Sequence, residues 1–188
     1  MVEVGAVEVE VEVEVEVEDF LAVAVDSPAA VEASAVVELE GAGDMHAKEF
    51  LNQLHHEKIV AAIREAEQQT SGEIRVYVTR KEVDDPVPAA QAVFARLGME
   101  KTKERNGVLI FVAPRVHRFA IIGDSAVHAK CGDSFWTEVR DCMTEHFRKS
   151  EFTQGIIFGI KKAGTLLSQH FPRRPDDQNE LPDDVAHD

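Results

Sequence analysis

Two polar clusters flank a pair of short apolar runs, and their types and spacing are what could do chemistry in this chain. Arg105-Asn106-Gly107 precedes an apolar run at 108–112, and Gly123-Asp124-Ser125 follows another at 119–122. The runs are joined by a short connection around Pro114, which reads as a β-hairpin. In a hairpin the start of the first strand lies beside the end of the second, so Asn106 and Asp124 meet at one sheet end. His128, about one turn into the helix that follows, and Asp133 overhang that end. Carboxylates, an amide, a hydroxyl and an imidazole form an oxygen-rich set that suits Ca²⁺ or Mg²⁺. A helix starting near Ser125 also offers free N–H groups to an anion such as phosphate. The plainer role for Asp124 and Ser125 is to cap that helix.

The elements that must position these residues follow from periodicity. From Asn52 to Gln69, Leu54, Ile59, Ala62, Ile63 and Ala66 recur at helical spacing, with Asn52 as N-cap and Ser71-Gly72 as the stop. The alternation from Glu73 to Thr79, with Ile74, Val76 and Val78 on one face, predicts a strand. Asp84-Asp85-Pro86-Val87-Pro88 is a turn and helix start, and Ala89 to Leu97 a short helix stopped at Gly98. The hairpin spans 107–113 and 118–123. Phe135, Val139, Met143 and Phe147 mark a further helix, and another runs from about Thr153 to Gln169. The order α-β-α-β-β-α-α makes the first two strands parallel and the third antiparallel to the second. The sequence therefore specifies a small α/β sandwich with a short mixed sheet. Strand directions place Glu73, Asn106 and Asp124 at one sheet end, and Thr79, Pro114 and His117 at the other.

Composition divides the chain into three. Residues 1–44 hold 13 of the 35 acidic residues and none of the 20 basic ones, so only −2 of the net charge of −15 belongs to residues 45–188. That first segment contains a single aromatic residue, Phe20, and six Val-Glu dipeptides between Val7 and Glu18. Its charge and scarcity of large side chains cannot offset the entropy of ordering, which predicts a disordered acidic tail, or an over-extended start, ahead of Met45. Residues 45–172 form the α/β domain, and 173–188 an acidic irregular C-terminal tail.

Several classes of function are disfavoured. No Walker loop, GxGxxG, HExxH or GxSxG is present, so no nucleotide cofactor or standard hydrolase is expected. The nearly neutral core has no basic stripe for nucleic acid. No run approaches the ~20 apolar residues of a membrane-spanning helix, and no positively charged leader precedes residues 20–25. Cys131 and Cys142 lack metal-ligand spacing, which fits a reducing, cytoplasmic setting. Cys131 reads as an inert thiol rather than a nucleophile activated by His128.

The stretches QQTSGEIRVYV and RNGVLIFVAPRVHRFAIIGDSAVHAKCGDSFW, with the terminal NELPD, resemble the TPM domain family, the TLP18.3/Psb32/MOLO-1 group, over essentially the whole core. The resemblance implies a three-layer α/β/α sandwich. It further implies one of three roles: Ca²⁺ binding, acid phosphatase activity, or accessory work at membrane complexes. Glu73, Asn106, Gly107, Gly123, Asp124 and His128 match the pattern. Ser125-Ala126 replaces the usual glycine after the Gly-Asp pair, and the signal peptide and membrane anchor of many relatives are not seen.

Three functions follow as expectations. The first is a module that binds a divalent cation or small anion in a regulatory or accessory role. Glu73, Asp124 and Asp133 would hold the metal, and Asn106, Gly107, Gly123 and Ser125 the ligand. The second is a metal-assisted phosphomonoesterase, in which His128 and Asp124 are catalytic. The third is an adaptor for a protein partner.

Overall fold

The computed structural model describes residues 35–38, 47–177 and 179–188, and its centre is a sheet whose three middle strands are buried on both faces. Strands β2 (Ile74–Val78) and β3 (Val108–Ala113) run parallel, with Ile74 opposite Val108. Strand β4 (Arg118–Gly123) returns antiparallel, bringing Gly123 opposite Val108. Alternate side chains point to opposite faces of a strand. Accordingly Ile74, Val76, Val78, Val108, Ile110 and Val112 enter one core, while Tyr77, Leu109, Phe111, Ala120 and Ile122 enter a second.

Helix α3 (Pro86–Arg96) seals the second core through Ala90, Val93 and Phe94. The first core is covered by α1 (Ala47–Gln53), α2 (His56–Glu67), α4 (Ser125–Cys131), α5 (Asp133–Phe147) and α6 (Phe152–His170). The result is the expected three-layer α/β/α arrangement around a mixed sheet.

Four local readings change. The predicted helix from Asn52 to Gln69 is broken, and Asn52 lies inside α1 rather than capping a helix. The break lets Phe50 and Leu54 turn into the core that Ile59 and Ile63 also enter. The Thr153 hydroxyl accepts the His55 N–H at 3.2 Å where the helix is interrupted. Helix α3 begins three residues earlier than Ala89, because Asp85 accepts from Val87 N at 2.9 Å and Pro86 fits the first turn.

The other two changes add β1 (Ala35–Glu38) and β5 (Val185–His187) to a sheet of order β1-β4-β3-β2-β5. Strand β1 (Ala35–Glu38) pairs antiparallel with β4, at a place where the sequence predicts no strand. Backbone groups of β4 left unpaired at an edge give the physical reason. The Val-Glu alternation and the rest of the predicted tail lie outside the described residues. At the opposite edge β5 (Val185–His187) pairs parallel with β2, where irregular structure was expected. Val185 is the apolar side chain that this short strand adds to the first core. No helix of the described residues is long and apolar enough to cross a membrane.

Candidate functional site

The register places Glu73, Asn106 and Asp124 at one sheet end, next to Ile74, Val108 and Gly123. Their side chains, however, diverge into two separate settings. Asp124 is fully buried and caps α4, accepting from Ser125 N at 2.7 Å and Ser125 Oγ at 3.2 Å. Arg105 Nε donates to the same Asp124 oxygen at 2.9 Å, and the guanidinium also reaches the Glu100 carbonyl. Arg105 sits at φ 54°, a left-handed conformation costly for a residue with a Cβ. Its carbonyl accepts the Ala126 N–H at 3.2 Å, which locks that turn onto α4.

The glycines of this end answer to packing. A Cβ on Gly123 would come within 2.5 Å of Trp136 Cη2, and one on Gly107 within 3.2 Å of the Met99 carbonyl. Asp133, 94% exposed, stands 3.8 Å from His128 Nδ1 at the start of α5. Burial pushes the Cys131 thiol up to about 11, so it is no ready nucleophile.

Asn106 and Glu73 look the other way, toward the C-terminal segment. Asn106 Nδ2 donates to the Ser71 carbonyl at 3.0 Å and its hydroxyl at 3.2 Å, stitching the entry of β3 to that of β2. Glu73 accepts the Glu180 N–H at 2.9 Å and the Leu181 N–H at 3.3 Å. The adjacent Glu67, at the end of α2, accepts the Ile74 N–H at 2.9 Å. Desolvation is the first cause raising both carboxyls, with neighbouring carboxylates adding to it: Glu67 rises to about 9 and Glu73 to about 7.

Two concave spaces lie on either side of the segment that Glu73 holds. One, about 240 Å³, is walled by Glu67, Glu73, Asp177 and Asp183 with Arg64, Arg173 and Asn179. The other, about 260 Å³, is lined by Ser71, Lys103, Asn106 and Arg174 with Glu104, Asp176, Asp177 and Glu180. In both, carboxylates outnumber cationic side chains. Neither Asp124, Ser125, His128 nor Asp133 lines either space.

The metal set Glu73, Asp124 and Asp133 is therefore not gathered at one point. Among the described residues no group of three His, Cys, Asp or Glu side chains is placed to hold a metal ion. Sequence reasoning missed Glu67, Asp177, Asn179 and Asp183. The NELPD stretch was a usable signal, since it supplies Asn179 and Asp183. Glu67 carried none, being one acidic residue among several on its helix.

Comparison with family models matches the TPM domain over residues 45–166. Among solved structures the chain is similar to BA42 protein from the psychrophilic bacterium Bizionia argentinensis. The identity is 40%, covering 72% of this chain and 96% of that one, with a TM-score of 0.68. It is also similar to the N-terminal domain of a protein from P. gingivalis, at 19% identity. That match covers 71% and 84% of the two chains with a TM-score of 0.50, a likeness of fold alone. No curated protein matches the chain.

Proposed function

This chain belongs to the TPM domain family, and on that premise we propose that it is a non-catalytic module binding a divalent cation, Ca²⁺ or Mg²⁺. The site is the cavity between α2, the start of β2 and the C-terminal segment. The carrying observation is that two neighbouring carboxyls, Glu67 and Glu73, share this cavity with Asp177 and Asp183 against only two arginines. Arg64 pairs with one of these acids, its Nε lying 3.1 Å from Asp183 Oδ2, which leaves Glu67, Glu73 and Asp177 with Arg173. A divalent cation would favour the ionised forms of Glu67 and Glu73 against the desolvation that raises both, so its binding would release protons. Calcium in particular tolerates flexible oxygen shells completed by carbonyls and water. Because the described side chains are not gathered as a ready shell, the cation would have to draw Glu67 and Glu73 toward it and complete its coordination with water.

The same charge balance disfavours a small anion. The phosphatase reading lacks convergence: His128, its intended acid, lines neither cavity. An accessory role in a reducing compartment such as the cytoplasm accords with Cys131 and Cys142 being free thiols.

Titration of the full chain with CaCl₂ and with MgCl₂, followed by amide shifts, tests the reading. Saturable shifts at residues 67, 73 and 179–183, weakened in Glu73→Gln, are expected. Shifts confined to Asp124, Ser125 and Asp133, or none at millimolar cation, would overturn it.

A further inference from the structure

The C-terminal strand is held in place by ionic and polar anchors at its two ends rather than by a broad apolar surface. Only three residues pair with β2, and Val185, at 8% exposure, is its one buried side chain. Ahead of the strand, Asp184 meets the guanidinium of Arg75. Behind it, Asp188 accepts from Arg80 N at 2.6 Å and lies 3.3 Å from Lys81 Nζ. Two carboxylates four residues apart, with a β-branched residue and a small one between them, thus read the β2 edge.

Arg75 makes that edge demanding. It is the charged residue of β2 and is 4% exposed, so its charge needs an acidic partner. Asp184 engages one arm of the guanidinium, and Nε remains buried without a hydrogen-bond partner. A buried donor left unsatisfied is costly, and a carboxylate taken as a fork satisfies two arginine N–H groups at once. The internal occupant therefore fills the edge incompletely. Asp184 itself is more than half exposed, so one end of the anchor opens to solvent.

We propose that the β2 edge is a strand-accepting docking surface for an extended acidic segment of a partner protein, of the pattern Asp-Val-small-x-Asp, which the chain's own residues 184–188 cover. Strand addition at an exposed edge takes its affinity from main-chain hydrogen bonds and its specificity from the side chains that flank them. The internal strand acts as a tethered competitor at high effective concentration, so the partner gains access only when it is displaced. The docking surface stands on the edge geometry and is independent of what the cavity at Glu67 and Glu73 binds.

The test uses the full chain and a fluorescent peptide of sequence NELPDDVAHD. In full-length Asp184→Ala the internal strand loses its Arg75 anchor, and the peptide binds at least about tenfold more tightly than to the unaltered chain. Amide shifts fall on residues 75–80. A peptide carrying the same Asp→Ala change fails to bind. Should unpaired Arg75 unfold that variant, full-length Asp188→Ala loosens the other end while Arg75 stays paired, and the same peptide preference is expected. Amides of residues 185–187 that stay as protected in both folded variants as in the unaltered chain would overturn the proposal. So would equal binding of both peptides.

Discussion

At the scale of single residues, the chemistry at this sheet end separates into a structural aspartate and a pair of cavity glutamates. Asp124 is read from the sequence as a central ligand, so its replacement by Asn would abolish cation binding at little structural expense. Its surroundings reverse that expectation. Asn retains an acceptor for Ser125 N but removes the charge opposite Arg105 and buries an amide where Oδ2 has no partner. Asp124→Asn is expected to cost about 1–3 kcal/mol in denaturant unfolding and to leave Ca²⁺ affinity unchanged. Glu67 and Glu73 predict a pH dependence. Both bind their protons more tightly folded, at about 9 and about 7, than at the ordinary value of 4.5. The folded chain therefore holds more protons than the unfolded one between those limits. Their contribution to stability is full below about 4.5 and is lost as pH rises through 7 and then 9. Thermal unfolding midpoints are expected to fall from pH 6 to pH 9 in metal-free buffer, and Glu67→Gln to flatten the upper part of that fall.

Between elements, α6 meets α5 through glycines where side chains would otherwise form a ridge. A Cβ on Gly155 would stand 2.5 Å from Phe147 Cδ1 and 3.2 Å from His146 Cβ. On Gly159 it would meet Met143 Cγ and Sδ at 2.6 Å. Alanine raises helix propensity by about 1 kcal/mol at either position. Overpacking costs about 1–3 kcal/mol, and the sign depends on whether the neighbour can move. Phe147 is locked edge-on between Phe119 and Phe152, with centroids at 5.2 and 5.5 Å. Met143 has three rotatable bonds and adapts more readily. Gly155→Ala is therefore expected to lower the unfolding midpoint more than Gly159→Ala, with the two measured side by side by differential scanning calorimetry.

For the whole molecule, the sheet is bounded at both edges by chain segments far from the central hairpin. Strand β1 covers β4, and β5 covers β2. If residues 1–44 were wholly dispensable, truncation to Met45 would leave stability untouched. Because residues 35–38 pair with residues 118–121, their removal leaves β4 as an open edge. Truncation is expected to lower the unfolding midpoint by about 2–4 °C, as befits a loss on the order of 1 kcal/mol. Light scattering of the truncated chain is expected to show concentration-dependent association through the uncovered edge. An unchanged midpoint with no association would mean that β1 contributes nothing to the domain.

The sequence by itself determined the elements whose signals are local. Period-two alternation specified β2, two short continuous apolar runs bounded by turn residues specified β3 and β4, period-3.6 runs specified α5 and α6, and Asp85 and Asp124 were recognisable as residues that start helices. Strand directions then placed Glu73, Asn106 and Asp124 at one end, because direction follows from connection length alone. The tertiary structure decided where side chains at that end point. Asn106 turns to Ser71, Glu73 to the amides of residues 180 and 181, and Asp124 to Arg105, contacts whose sequence separation carries no periodic signal. It also decided the edges. A three-residue strand such as β5 has too few positions to show alternation, and it forms because Glu73, Arg75 and Arg80 hold it from across the fold. Which carboxylate meets the buried Arg75 was likewise decided by the fold, since Asp184 lies 109 residues along the chain.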